Sequence, residues 1–551
     1  MQFQHRWGHA RTTRRLQVRA VVSVLLVIVL AGARAAPTPS SSHGTALETT
    51  LRRHIETLAS DDYGGREPGT DGETKTLRYL AREWFDIGLV SGTNDPGNAW
   101  FAPVELVERI PQDSRATFQH GHRRVAIDPK GVFVVTSGLR SLIEDAPLLY
   151  VGKDTNPDTA RTELAGRVAL ILDSQAPAIP TPDKTAAEIM GPDDRAGRLL
   201  DAGAAAVITV LDGTRKLDDV AARRRRPGYA LAGQKLGGDL QAYITPEVAE
   251  ALLDAAGTVK DAAGTVKDAA GTGKDAASVS KLDALRVAGA VHGFPPRLIG
   301  LNGTLEATGR ETRIHTHNLI GKLEGRRHDL GAVVILAHWD HFGRCADPPA
   351  EHLICNGAVD NASGLAVITE TARILSSGRP LDRDIYFLAT TGEELGLLGA
   401  HAFAENPPLP LDAIMAALNV DSTGLVGTGI PVSVIGAGMT DLDDSIAIVL
   451  KGMRRKTVSG NAANAFVRRQ DGWAFIQHDV PAVMVSSAYS DTARLEKFMD
   501  ERYHRPTDIA ARVEYGGMGE DVALQVELAR YFADVHHFPG PPVPRQDSGT
   551  R

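Results

Sequence analysis

Acidic and histidine side chains follow two apolar, strand-like runs near the middle of this 551-residue chain. The runs span 333–337 and 385–389, and a Gly- and Asn-rich turn lies between them. The polar residues that follow these runs or occupy the turn are His338, Asp340, Asp360, Glu393 and Glu394. Because ligands of open α/β sheets bind outside the carboxyl ends of the strands, we expect these side chains to converge. They predict one half of a metal site.

Two residues further along the chain extend this set. Asp421 ends another apolar run, AALNVDS, and His504 lies in the turn YHRPTD before a helical pattern. Two imidazoles and three carboxylates suit two zinc ions that share one carboxylate and lie ~3.5–4 Å apart. A single zinc ion would leave too many ligands, and calcium or magnesium would favour an all-oxygen shell. The sequence therefore predicts a dinuclear zinc site.

Two of the polar residues are candidates for roles other than metal binding. Glu393 and Glu394 would repel each other without a cation nearby, so the natural division is one ligand and one general base. A ligating histidine commonly hands its other ring proton to a carboxylate. Asp340 lies two residues after His338, on the same side if the strand continues, and could orient that ring or ligate directly.

The elements that must position these residues are alternating strands and helices. We predict strands at 333–337, 385–389, 414–419, 432–435 and 482–486, and helices at 363–376, 397–404, 445–453 and 520–536. This alternation indicates an α/β fold whose mostly parallel sheet is covered on both faces. Two further helices are predicted at 47–58 and 74–85, and short β-type runs between 105 and 305 indicate a compact β-rich insert.

The N-terminus has the three parts of a signal peptide. Arginines precede a short apolar stretch at 20–31, and Ala33-Arg34-Ala35 is a small-x-small cleavage site. About 12 apolar residues are too few to span a bilayer, which needs roughly 20. We therefore expect residues 1–35 to be removed and the protein to be exported, periplasmic or extracellular. Its net charge of −8 gives no reason to expect nucleic acid as a partner.

Three smaller features complete the organisation. Cys345 and Cys355 lie in one loop, and in an oxidising compartment we expect them to form a disulfide, a cysteine metal pair being the weaker alternative. The repeats of DAAGTVK at 254–280 read as low-complexity sequence, and 541–551 as a disordered tail. Gly64-Gly65-Arg66 either contacts a substrate carboxylate or fixes its own loop to the fold.

The motifs give the chain a resemblance to a known family. They are SDDYGGREPGT, THNLIGKLEG, AHWDHFG, NGAVDNASG, TTGEELGLLGA, NVDSTG and YHRPTD. The chain resembles the co-catalytic di-zinc aminopeptidases of the zinc exopeptidase clan, over about 55–101 and 316–531. The resemblance implies a three-layer peptidase domain at 36–110 and 306–540. The region 111–305 is similar to the inserted protease-associated domain of many relatives, as LAGRVALILDS and DAGAAAVITVLD suggest.

The resemblance also implies how the metal ligands are divided. Asp360 would bridge the two zinc ions. His338 and Asp421 would complete the shell of one ion, and Glu394 and His504 the shell of the other. The substrates would be peptides with a free N-terminus. The sequence does not give the oligomeric state.

Two further roles follow from the resemblance, and one segment departs from it. Glu393 would take a proton from the water bound between the metals and pass it to the leaving amine, and Asp340 would support His338. Relatives usually carry a larger residue than Gly472 in RQDGWAF, and some place a tyrosine shortly before it. Here Arg468 and Arg469 occupy that segment, which leaves the oxyanion-stabilising group open.

Three alternatives to an aminopeptidase stay open at this point. A glutamate-releasing carboxypeptidase would need arginines that converge on a C-terminal carboxylate, and Arg468, Arg469 and Arg505 are candidates. A glutaminyl cyclase binds one zinc through fewer ligands than this chain offers. A catalytically dead, receptor-like binding protein would lack ligands or the base, all of which are present here.

Overall fold

The computed structural model describes residues 46–94, 100–173, 195–233, 240–256 and 280–540. The predicted signal peptide, almost all of the 254–280 repeat and the predicted tail lie outside these residues. Within them, no helix is both long enough and apolar enough to cross a membrane.

The described residues form one sheet of 15 strands. In chain order these are β1 (Val90–Ser91), β2 (Phe101–His120), β3 (Arg123–Arg124), β4 (Val132–Val135), β5 (Arg140–Tyr150), β6 (Val168–Leu172), β7 (Ala206–Val210), β8 (Gly228–Leu231), β9 (Gln241–Ile244), β10 (Arg297–Leu323), β11 (Ala332–His338), β12 (Asp384–Thr390), β13 (Ile414–Asn419), β14 (Ser433–Ile435) and β15 (Ala482–Ser486).

The described helices lie before, between and after these strands. In chain order they are α1 (Ala46–Leu58), α2 (Asp71–Ile87), α3 (Arg161–Leu164), α4 (Arg195–Asp201), α5 (Leu217–Arg224), α6 (Pro246–Ala256), α7 (Lys281–Gly289), α8 (Gly364–Ser376), α9 (Leu398–Glu405), α10 (Asp443–Gly452), α11 (Gly472–Gln477), α12 (Thr492–Glu501) and α13 (Tyr515–Ala533).

The C-terminal half of the sheet is mostly parallel. β15, β13, β11 and β12 are neighbours in that order, and each adjacent pair is parallel. β14 pairs antiparallel with β15 at one edge, and β10 pairs antiparallel with β12 on the other side. The carboxyl ends of the four parallel strands therefore meet at one edge of the sheet, which is where the predicted site residues follow them.

Side chains of β11 alternate between two hydrophobic layers, as a strand in the middle of three layers requires. Val333, Ile335 and Ala337 pack in the core that contains α1, α2, α8 and α13. Val334 and Leu336 pack on the opposite face with α9 and α11. The α/β class with a mixed, mostly parallel sheet between helical layers is confirmed.

The region between β2 and β10 packs around a hydrophobic core of its own. β5, β6, β7 and β9 form a second parallel set with β4 antiparallel at its edge. Buried residues of these strands pack with α6 and α7. The sequence predicts a β-rich insert here, and the structure adds helices to it. That this region is a protease-associated domain stays a prediction.

A long two-stranded ribbon joins the two parts. β2 has 20 residues and β10 has 27, and they pair antiparallel from Phe101↔Leu319 to Gln119↔Asn302, with one irregularity next to Gly309. β2 crosses the predicted domain boundary at 110/111, and β10 crosses the one at 305/306. The ribbon therefore belongs to both parts of the sheet.

Candidate active site

The predicted site residues converge at the carboxyl edge of the parallel strands. His338 is the last residue of β11, Asp421 lies two residues after β13, and Glu393 and Glu394 lie in the turn between β12 and α9. Asp360 lies before α8, in a turn at 358–363 whose backbone leaves helical geometry at this residue. His504 follows α12 and has φ +55°.

The first group consists of His338, Asp360 and Asp421. The Nε2 atom of His338 lies 3.2 Å from Asp360 Oδ1 and 3.5 Å from Asp421 Oδ1. All three side chains are buried. Each offers one donor atom, and these atoms lie within 4.8 Å of one another.

The second group shares Asp360 with the first. His504 Nε2 lies 3.0 Å from Glu394 Oε2 and 3.3 Å from Asp360 Oδ2. One oxygen of Asp360 thus faces His338 and the other faces His504. This is the arrangement in which one carboxylate can serve two cations.

The donor atoms of both groups fit zinc. Ligands at ~2.0–2.2 Å from a tetrahedral ion are separated by roughly 3.4 Å, close to the spacings of 3.0–3.5 Å found here. The Nε2 atoms of His338 and His504 are buried and have no hydrogen-bond partner among the described residues. Such orphaned nitrogens surrounded by carboxylates are accounted for by a cation between them.

The electrostatics of the cluster point the same way. Burial alone would lower the pKa of His504, but Asp360 and Glu394 raise it to about 9. Burial also opposes a proton on His338, yet Glu393, Asp360 and Asp421 raise its pKa well above the ordinary value. The carboxylates thus stabilise positive charge at both imidazoles, the positions where cations would bind.

Glu393 lies beside the first group without belonging to it. Its Oε2 is 3.9 Å from His338 Nε2, beyond hydrogen-bond distance. Burial raises the pKa of Glu393 well above its usual value, and the neighbouring carboxylates Glu394, Asp421 and Asp471 raise it further. A carboxyl group whose pKa is raised in this way is suited to general acid–base chemistry.

Asp340 contacts its neighbours differently from the prediction. β11 ends at His338, so Asp340 lies in the following loop, and its carboxylate Oδ1 is 3.8 Å from His338 Nδ1. The ring nitrogen instead donates to the backbone carbonyl of Asp340, at 3.1 Å. The carboxylate accepts the backbone N–H groups of Glu393 and Glu394, at 3.1 and 3.4 Å. Asp340 therefore orients the ring through its carbonyl and holds the glutamate turn through its side chain.

Arg66 fixes the loops behind the site. Its side chain is fully buried, and its guanidinium donates to the carbonyls of Leu58, Trp339, Asn356, Gly357 and Asp360. Burial lowers its pKa to about 10 although nearby carboxylates oppose this, so it stays charged at neutral pH. Of the two predicted roles, the structure places Arg66 in the loop-fixing one.

Gly357 shows how closely these groups pack. It has φ +55°, and a Cβ there would lie 2.1 Å from the carbonyl of Asp360 and 2.7 Å from the Arg66 guanidinium. Any larger residue would displace the backbone that carries Asp360. The glycine of NGAVDNASG is therefore required by both conformation and space.

The residues at the site that were not predicted from the sequence include His341, Asp508 and Asp471. His341 Nδ1 lies 2.5 Å from Glu394 Oε1. Asp508 accepts the backbone N–H groups of Val359 and Asp360, and it pairs with Arg502 at 2.7 Å.

Asp471 is the third of these residues, and Thr390 donates a hydrogen bond to its carboxylate. It is buried, and burial together with Asp340 and Asp421 raises its pKa to about 7. His341 and Asp508 stand inside the quoted motifs AHWDHFG and YHRPTD, and Asp471 in the departing segment RQDGWAF. Proximity in the sequence to the predicted ligands His338 and His504 was the one signal that could have identified His341 and Asp508.

A disulfide closes the loop that precedes Asp360. Cys345 and Cys355 are bonded, with their Cα atoms 5.7 Å apart. The backbone N–H of Cys355 donates to the carbonyl of Gly343, which ties this end of the loop to the HFG segment.

A small cavity of about 20 Å³ opens beside the carboxylates. Its walls combine polar groups of the site with apolar and aromatic side chains. They include Asp360, Glu393, Asp421, Phe466, Arg469, Met484, Tyr489, Leu495, Phe498 and Tyr503. Of the three arginines considered above, Arg469 lines this cavity, Arg468 stacks on Trp473 and Arg505 is exposed.

Comparisons with known proteins agree with this geometry. Residues 318–536 match the profile of peptidase family M28. The chain is 34% identical over 115 residues to the alkaline phosphatase isozyme conversion protein of Escherichia coli, over 20% of this chain and 33% of that protein. It is 44% identical over 68 residues to a probable zinc metalloprotease of Pyrenophora tritici-repentis, over 12% and 15% of the two chains. The chain thus matches a third or less of the length of these curated relatives.

Solved structures to which this chain is similar include an aminopeptidase from Aneurinibacillus sp. strain AM-1. It is 18% identical, with a TM-score of 0.49, over 88% of this chain and 93% of that chain. The segment that matches the family profile, 318–536, begins in β10 and contains every predicted ligand from His338 to His504. Residues 318–536, the segment that carries the candidate site, therefore match peptidase family M28.

Proposed function

We propose that this protein is a secreted, zinc-dependent aminopeptidase that removes N-terminal residues from peptides. The observation that carries the proposal is the position of Asp360, whose two oxygens face two separate histidine–carboxylate groups. Membership of the matched segment in a peptidase family and the relatives named as zinc metalloproteases support peptide hydrolysis and zinc.

We propose two zinc ions per chain. Asp360 would contact both, His338 and Asp421 would hold one, and Glu394 and His504 the other. Zinc bound in this way polarises a carbonyl group and brings the pKa of water toward neutrality.

Glu393 is the proposed general base. Its carboxylate lines the cavity next to Asp360 and Asp421, where the scissile carbonyl and the attacking water would lie. It would accept a proton from the water and deliver it to the nitrogen of the leaving amine. Asp340 keeps Glu393 in place by accepting its backbone N–H. Arg469 lines the same cavity and is the proposed partner for the negative charge that develops on the carbonyl oxygen.

The surroundings of the cavity favour an N-terminal amine over a C-terminal carboxylate. The carboxylates of Asp360, Glu393 and Asp421 attract a free ammonium group, whereas a carboxylate would face them unfavourably. The apolar wall favours an apolar first residue. Arg469 alone of the three candidate arginines lines the cavity, which gives little support to a glutamate-releasing carboxypeptidase.

The remaining parts of the proposal extend the sequence predictions. The protein would be exported after removal of residues 1–35. The peptidase domain would comprise 36–110 and 306–540, and the protease-associated-like insert 111–305. The presence of every predicted ligand and of Glu393 argues against a receptor-like protein without activity.

Aminoacyl nitroanilides test the function directly. Leucyl, methionyl and glutamyl substrates would each be offered with a free amine and with an acetylated amine. We expect hydrolysis of free-amine leucyl and methionyl substrates, loss of activity with a chelator, and recovery when two zinc equivalents are added.

Two further substrates separate the alternatives. An acetylated peptide with C-terminal glutamate tests for a carboxypeptidase, and an N-terminal glutaminyl peptide tests for a cyclase through loss of ammonia. Cleavage of the acetylated substrates without cleavage of the free-amine ones would overturn the aminopeptidase proposal.

A further inference from the structure

His341 is buried and lies directly against Glu394, yet it has no part in the ligand set proposed above. It is 1% exposed, and its Nδ1 is 2.5 Å from Glu394 Oε1. The other oxygen of Glu394, Oε2, lies 3.0 Å from His504 Nε2. The two oxygens of one carboxylate thus face two different imidazoles.

The distances distinguish a hydrogen bond from shared metal coordination. His341, Asp360 and Glu394 could together surround an ion, since their donor atoms lie within 4.8 Å of one another. However, two ligands of one tetrahedral zinc ion are roughly 3.4 Å apart. The 2.5 Å between Nδ1 and Oε1 is too short for that, whereas it suits a charge-assisted hydrogen bond. His504 has the spacing of a co-ligand and His341 does not.

The surroundings of the ring fix its position. The backbone N–H of His341 donates to the carbonyl of Arg66, at 3.2 Å. The ring packs on Gly357, where a Cβ would lie 2.8 Å from its Cδ2, and against the edge of Phe342. Since a metal-binding carboxylate can only accept, Nδ1 must carry the hydrogen.

We propose that His341 is a positioning residue for one of the two zinc sites. Through its Nδ1–H it holds Oε1 of Glu394, so that Oε2 alone is turned toward His504 and Asp360. Partners of this kind tune metal affinity by about 10–100-fold in known sites. His341 therefore sets the affinity of the Glu394–His504 site and leaves the His338–Asp421 site unchanged. This inference rests on the function proposed above.

Two substitutions distinguish the effect of the hydrogen bond on zinc affinity from the effect of the size of the ring. In His341→Asn the side-chain N–H₂ takes the place of Nδ1 and can still donate to Glu394. His341→Leu fills similar space without a donor. His54→Leu is the matched control, because His54 is also buried against a glutamate, Glu370 at 3.0 Å, outside the site.

The measurement is zinc binding to metal-depleted protein, titrated against a competing chelator. Wild type should bind two equivalents. We expect His341→Leu to bind one equivalent about 10–100-fold more weakly and the other normally, and His341→Asn to stay within a few-fold of wild type. His54→Leu should bind both as wild type does. Thermal unfolding of the metal-depleted forms checks that each variant is folded.

Three results would overturn the inference. The first is wild-type zinc affinity in His341→Leu, and the second is equal weakening of both sites. The third is a His341→Asn variant that binds zinc as weakly as His341→Leu, which would indicate that His341 is itself a ligand. Failure of wild type to bind two equivalents would instead count against the proposed function. A wild type that binds zinc but cleaves no free-amine substrate would leave the role of His341 testable on its own.

Discussion

At the scale of single residues, the carboxylates Asp340, Asp360 and Glu393 have different roles because each contacts different groups. Asp340 accepts two backbone N–H groups, and Asp360 faces both histidines. Among the residues that the structure describes, no imidazole lies within hydrogen-bond distance of Glu393. Residue type alone would not separate these three roles. The position of each carboxylate relative to strand ends and turns does.

Replacing Glu393 tests the proton-transfer role. Glu393→Gln keeps the size of the side chain and lies outside both ligand groups, so the variant should still bind two zinc equivalents. Its kcat should fall by about 10²–10⁴-fold, the usual contribution of general acid–base catalysis. The measurements are kcat on an aminoacyl nitroanilide and zinc content by elemental analysis. Turnover at the wild-type rate would remove Glu393 from this role.

Residues that can be recognised by type and spacing were predicted from the sequence, whereas contacts that only the fold creates were not. His338, Asp360 and Asp421 stand next to predicted strands or turns, so their convergence follows from the order of elements. His341 and Asp508 act on residues 53 and 148–149 positions away. Nothing in a single sequence indicates which carbonyl or N–H such a side chain will meet.

At the scale of elements, the buried strands were predicted well because they are short and apolar on both faces. β13 and β15 have the predicted bounds, and β11 and β12 extend one residue at each end. β2 and β10 were missed, since their outer parts are exposed, carry many charges and lack an apolar run. Strand length there is set by pairing between distant segments, which local patterns do not report.

The contact between α13 and the end of β15 gives a pH-dependent contribution to stability. Asp521 of α13 is buried and accepts hydrogen bonds from the hydroxyl groups of Ser486 and Ser487. Burial raises its pKa to about 6, although these donors oppose the shift. The folded state therefore holds the proton more tightly than the unfolded state, whose aspartate has a pKa of ~3.9. This contribution is fully present below pH ~4 and is lost as the pH rises to about 6.

Asp521→Asn should remove that dependence. Relative to wild type, the variant should gain up to roughly 3 kcal/mol in free energy of unfolding between pH 4 and pH 7, from two pKa units. Urea unfolding at several pH values gives the free energy of unfolding of both proteins. The contributions of other titrating groups cancel in the difference between variant and wild type. Glu527→Gln, which alters a surface pair with Arg530 on the same helix, is the control. Parallel curves for wild type and Asp521→Asn would contradict the assignment.

At the scale of the whole molecule, the fold buries several acidic side chains in one cluster at the carboxyl edge of the parallel strands. Asp340, Asp360, Asp421 and Asp471 are all buried within one cluster, and Arg66 is a buried cation behind them. Taking charges out of water is costly unless they are paired. The stability of the folded chain should therefore depend on the ions that we propose the cluster binds.

Metal removal should consequently destabilise the part of the fold that surrounds the cluster. A ligand present at 1,000 times its Kd stabilises the folded state by ~4 kcal/mol per site. We expect chelation to lower the melting temperature by several degrees and zinc to restore it. Calorimetry with and without a chelator measures this shift. Asp360→Ala lacks the shared carboxylate, so a chelator should change its melting temperature little. A change as large as that of wild type would contradict the proposal that both ions share Asp360.

The ribbon of β2 and β10 also dictates the order in which the chain can fold. β2 is complete at His120, but its partner begins at Arg297, so β2 leaves the ribosome long before it can pair. β10 in turn pairs with β12, from Leu319↔Ala389 to Leu323↔Ile385, and β12 leads into the turn that carries Glu393 and Glu394. During synthesis, the region between the two ribbon strands is thus made before the sheet from β10 to β15 can form. A stall or misfolding event in that region would leave β12 without its neighbouring strand β10, even though every proposed ligand lies further along the chain.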